Sequence, residues 1–98
     1  MNVDYRGELA GLAAERGDSA RADSIDAWLA RQRGDAVAWS ASFYRARDAA
    51  FLGRDAKAIA LLRQTIEQGS WPYYLHMEPA FARLRTNREF TALLAPKD

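Results

Sequence analysis

Apolar side chains recur along this chain at three- and four-residue spacing, broken at intervals by glycine; strand-like alternation never persists. Tyr5, Leu9 and Leu12 fall at i, i+4 and i+7 and predict a first helix over about residues 3 to 15, with those three side chains on its inward face. Gly17-Asp18 breaks the run, and Asp18 or Ser19 can cap a second helix over about 20 to 33. Its apolar face is Ala22, Ile25 and Leu29, with Trp28 at the edge. Gly34-Asp35 breaks the pattern again, with Asp35 a candidate N-cap. A third helix over about 36 to 52 sets Trp39, Phe43, Ala46 and Ala50 on one stripe, and its small residues Ala46, Ala49 and Ala50 permit close helix packing before Gly53 ends it. The fourth, over about 55 to 68, turns Ala58, Leu61, Leu62, Thr65 and Ile66 inward and stops at Gly69.

The breaks are regular. Gly17-Asp18-Ser19-Ala20-Arg21-Ala22 precedes Gly53-Arg54-Asp55-Ala56-Lys57-Ala58 by 36 residues (53 minus 17), and each follows one helix and opens another. Two helical hairpins of like size, about 3–33 and 36–68, imply a tandem repeat. Neither can bury its apolar face alone, so stacking is expected to join them around one interior.

After Gly69 the pattern changes. Residues 70 to 78 are rich in aromatics; Pro72 within them and Pro79 just after rule out one long helix. Pro79 suits the first position of a short helix carrying Ala80, Phe81 and Leu84. Thr86-Asn87-Arg88-Glu89 fits a capping box, with Asn87 as the alternative cap one residue later; Phe90, Leu93 and Leu94 follow at helical spacing, and Pro96 closes the chain. A segment over about 70–95 is thus expected to cover the open end of the second hairpin, where bare apolar surface would cost roughly 25 cal/mol per Å².

Composition narrows the function classes. A chain of 98 residues makes one domain. Fourteen basic against thirteen acidic side chains leave a net charge of +1, with no general pull toward nucleic acid or an anionic membrane. The absence of cysteine excludes disulfides, thiolate metal sites and a cysteine nucleophile. No apolar run approaches the roughly 20 residues of a membrane span. Met1-Asn2-Val3-Asp4 lacks a signal-peptide start, which leads to an expected cytoplasmic location. His76 with Glu78 supplies two possible ligands where a metal needs three or four, and the serines at 19, 24, 40, 42 and 70 sit in no nucleophile elbow. No catalytic, cofactor or metal site is expected.

The third helix poses a separate question. Trp39 and Phe43 point along a different face from Tyr44 and Phe51, so this helix is either buried on two sides or shows aromatics to a partner.

Residues 46 to 66, overlapping "LGRDAKAIALLRQTIEQG" (52 to 69), resemble a tetratricopeptide repeat, with Ala58 at the small position of its second helix and Leu62 at the large apolar one. The stretch from Ser70 to Leu94 resembles the usual C-terminal ending of bacterial tetratricopeptide arrays: Pro72-Tyr73-Tyr74-Leu75, Pro79-Ala80-Phe81, Leu84-Arg85, Asn87-Arg88-Glu89-Phe90 and Leu93-Leu94. The first hairpin follows the family less closely. Ser42, Arg45 and Ala46 stand where the family has tryptophan, leucine and glycine; Thr65, Ser70 and Arg88 replace an alanine and two prolines.

The resemblance implies an all-α short solenoid of two stacked antiparallel hairpins closed by two short helices. It also implies a non-catalytic module that offers a concave helical face to a peptide or helix. By the family's register that face passes through Ser40, Phe43, Arg47 and Phe51, with Arg47 bonding a carboxylate and the aromatics giving apolar area. Two other uses follow: self-association through the open side of the first hairpin, and service as the C-terminal regulatory domain of a larger bacterial transcription regulator, kinase or cyclase.

Overall fold

A computed structural model describes residues 3–32, 35–68 and 78–94, with the side chains of 35–39 and 94 left aside. The aromatic stretch with His76, the breaks at Gly34 and Gly69, the Trp39 side chain and Pro96 lie outside the described residues. The described chain is all helical: α1 (Val3–Glu15), α2 (Ser19–Ala30), α3 (Asp35–Phe51), α4 (Asp55–Glu67), a 3₁₀ helix (Pro79–Thr86) and α5 (Arg88–Leu94). α1 packs on α2 and α3; α3 packs on α2, α4 and the 3₁₀ helix; α5 lies against the 3₁₀ helix and α4.

The turns at Gly17 and Gly53 share the same pair of closing backbone bonds. Gly17 and Gly53 have φ of +78° and +77°, a left-handed conformation that glycine adopts without a Cβ penalty. At the first turn the Asp18 amide donates to the Ala13 carbonyl (2.9 Å) and the Gly17 amide to Ala14 (3.0 Å). At the second, Arg54 donates to Ala49 (2.8 Å) and Gly53 to Ala50 (3.1 Å). Both are Schellman endings that satisfy the last helix carbonyls. Their caps differ. Asp18 accepts from the Arg21 amide with its carboxylate, whereas Arg54, in nearly the same backbone conformation, makes no side-chain cap.

Burial follows the same 36-residue step. Ala10 and Ala46, Ala13 and Ala49, Ala14 and Ala50, and Ala22 and Ala58 are all buried.

Among the described residues the buried apolar side chains fall into three clusters. One cluster joins α3 and α4 to the closing helices through Ala46, Ala50, Leu62, Phe81, Leu84 and Phe90. A second gathers Val3, Leu29 and Ala41, and a third Ala13, Ala14 and Ala22 with Phe51 and Leu52 packed on them. Charged side chains stand among them. Asp26 of α2 is buried and accepts from Arg45 Nε of α3 (2.9 Å) and Lys57 Nζ of α4 (3.3 Å). Asp23 of α2 is paired with Arg54 at the start of α4.

Two expectations need correction. Tyr5 and Leu12 do not face inward: they are 60% and 50% exposed, and the buried face of α1 is Val3, Gly7, Ala10, Gly11, Ala13 and Ala14. The reason is steric, because α3 approaches so closely that only small residues fit beneath it. α3 begins at Asp35, whose side chain, and with it the expected cap, lies outside the described residues. Thr86 does not form a capping box, since it ends the 3₁₀ helix and its hydroxyl reaches back toward the Arg83 carbonyl. Asn87 caps α5, accepting from the amides of Glu89 (2.9 Å) and Phe90 (3.1 Å).

The closing helices are fastened by chemistry as well as by apolar area. Arg83 donates to the Ala50 carbonyl near the C-terminus of α3 (3.0 Å) and pairs with Asp55 in the first turn of α4. A cation at a helix C-terminus meets the negative end of its dipole.

Candidate partner-binding surface

Of the four candidate residues, Ser40 is half-exposed and the others take part in helix packing. Phe43 lies on the α3–α4 cluster, edge-on to Phe81 with ring centroids 6.1 Å apart. Phe51 packs against Ala13, Ala14 and Ala22. Arg47 lies between α1 and α3 with its side chain 13% exposed, and its Nη2 pairs with Glu8 Oε1 at 3.1 Å. Its guanidinium carbon is 5.0 Å from the Tyr44 ring centroid and 5.9 Å from that of Phe43, within cation–π range of both. The carboxylate that Arg47 bonds in this structure therefore belongs to the chain itself. Phe43 and Arg47 are brought together; Phe51 sits in a separate cluster.

α3 is accordingly buried on two sides. Phe43, Ala46 and Ala50 face α4 and the closing helices, while Tyr44, Arg47 and Phe51 face the first helix pair. Tyr44, not singled out as a site residue from sequence, is the centre of the second set. Its ring lies on Gly7, and the Arg47 guanidinium lies on Gly11. Burial first, and then the Asp4 and Glu8 carboxylates, push the Tyr44 phenol up to about 12. The available signal was Gly7, Ala10, Gly11 and Ala14, a strip of small residues at i, i+3, i+4 and i+7.

Asp48 is the least satisfied group. It is 2% exposed and neither carboxylate oxygen has a hydrogen-bond partner. Burial raises its pKa to about 8; the Asp26 and Glu8 carboxylates add to the rise, and Arg47 and Lys57 oppose it.

A second surface lies between α1 and α2. Tyr5, Leu9 and Ile25 line a groove with Arg6, Arg21 and Ser24, and it continues past Leu12 and Arg16. Arg6 is held over the Trp28 ring at 4.4 Å. Among the described residues no group of three or more His, Cys, Asp or Glu side chains is placed to hold a metal ion, and no helix is long and apolar enough to cross a membrane. Comparison with family models, curated proteins and solved structures gave no match.

Proposed function

We propose that this chain is a tetratricopeptide-like helical module that binds a protein partner and performs no catalysis. The observation that carries the reading is the 36-residue step, at which turn geometry, glycine φ and buried alanines all repeat. Units related in this way stack side by side, with first helices in one row and second helices in another. In this reading α1 and α3 form the concave row.

Its value to a ligand is rigidity. Tyr44 seated on Gly7 and Arg47 paired with Glu8 fix α1 against α3, so a peptide or helix meets a surface that needs little ordering. Ser40 supplies a polar rim and Arg47 the cation, while Phe43 and Phe51 brace α3 from its two packed sides. A ligand carboxylate reaches Arg47 by replacing Glu8, whose side chain is 60% exposed and so held weakly.

The test is selection of peptides on the immobilised full chain from a displayed library. Carboxylate-bearing binders are expected; Glu8→Gln should tighten them by releasing Arg47, and Ser40→Glu should weaken them by like-charge repulsion. Binders indifferent to both substitutions would remove this face as the site.

A further inference from the structure

We infer that the α1–α2 groove is a second docking surface, and that its occupant is an amphipathic helix with acidic flanks. The inference rests on the same 36-residue register but concerns a different face. Adding 36 carries Tyr5, Leu9 and Leu12 of α1 onto Ala41, Arg45 and Asp48 of α3. In α3 this is a helix-receiving row. Ala41 packs with Leu29 of α2, Arg45 holds Asp26 of α2, and Asp48 is buried. The counterpart row on α1 lines the open groove beside α2 and leaves Tyr5 and Leu12 largely exposed.

The differences between the two rows define the guest. Where α3 offers Arg45 and Asp48, α1 offers Leu9 and Leu12, so the guest helix presents apolar side chains and not a carboxylate at the centre. At the edge the charge logic is kept. Arg21 is the counterpart of Lys57, which holds Asp26 of α2, and Arg6 and Arg16 flank the same groove. These three cations, against the single carboxylate of Asp18, select acidic residues beside the apolar stripe. A second copy of this chain fits poorly, because a two-fold contact through the groove would bring two grooves of like charge, each lined by Arg6, Arg16 and Arg21, together.

The probe is a stapled helix of about 14 residues, roughly four turns, with leucines at i, i+3 and i+7 flanked by glutamates. A twin peptide carries lysine at every glutamate position. Titrated into the full chain and followed by methyl NMR, the glutamate peptide should shift Leu9, Leu12 and Ile25 and bind about tenfold tighter than the lysine twin. Arg21→Glu should reverse that order, whereas Arg63→Glu, on the exposed side of α4, should leave it unchanged. Equal binding of the twins, shifts confined to other residues, or a concentration-dependent dimer abolished by Leu12→Asp would each overturn the proposal. None of these outcomes bears on the carboxylate peptides selected through Glu8 and Ser40, so the two readings fail separately.

Discussion

The ring of Tyr44 occupies the space that a side chain on Gly7 would need. A Cβ added at Gly7 would overlap the ring carbons, and the ring is pinned between α1 and Phe43, with which it makes an edge contact at 5.6 Å. Four residues along α1, a Cβ on Gly11 would meet only the tip of the Arg47 guanidinium, at 3.0 Å. The two glycines therefore answer to different constraints. Gly7→Ala should destabilise the chain by about 2 kcal/mol, as overpacking outweighs the gain in helix propensity. Gly11→Ala should be neutral or stabilising by up to about 1 kcal/mol, because an arginine tip can shift. Urea denaturation of both variants checks the contrast, and equal losses would contradict it.

The Asp26–Arg45 pair yields a second prediction. Both side chains are largely buried, at 13% and 21% exposure, so removing one strands the other. Asp26→Ala should cost about 2 kcal/mol, while Asp26→Leu with Arg45→Leu should stay within about 1 kcal/mol of the parent, since an apolar pair carries no desolvation penalty. Calorimetry of the single and double variants decides it. A double variant as weak as the single would mean that the charges themselves hold α2 to α3.

Asp48 yields a prediction about pH. Its folded pKa of about 8 lies above the ordinary carboxylate value of 3.8, so between those values the folded chain binds more protons than the unfolded chain. Stability from this group is therefore present at low pH and lost as pH rises toward about 8. Asp23, held low first by its hydrogen bond with Arg54, acts in the opposite sense and only under more acid conditions. The parent should melt lower at pH 8 than at pH 5.5, whereas Asp48→Asn should lose most of that slope and gain about 2 kcal/mol at pH 8. Taking the difference between the two proteins cancels the titration of His76, the other side chain that ordinarily changes charge in this range. Parallel melting curves across the range would refute the assignment.

Much of this architecture was legible in the residues. Glycine spacing placed both turns, since a helix ending in the left-handed region selects glycine. Alanine content marked the tight contact of α3 with α4, and the Pro79 start of a short element was readable from its fixed φ. The side choice in α1 was not. Hydrophobicity pointed Tyr5, Leu9 and Leu12 inward, but the space beneath α3 admits only small residues, a tertiary demand that no local pattern states. Arg45 stands where the family has leucine, and its role was not legible because its partner lies 19 residues away, across the break between two helix pairs. The candidate surface suffered from the same limit. The family register ran one face through Phe43, Arg47 and Phe51, yet nothing in their spacing revealed that Glu8, Phe81 and the alanines of α1 and α2 would engage them.

The matched turns at Gly17 and Gly53 also bear on how such a chain can change length. Because each junction ends its helix with the same glycine conformation and the same pair of closing backbone bonds, the segment from Asp18 to Gly53 begins and finishes at closely matched seams. Copying it in tandem would add a whole storey without disturbing either end, whereas inserting any other number of residues would rotate every later helix out of register.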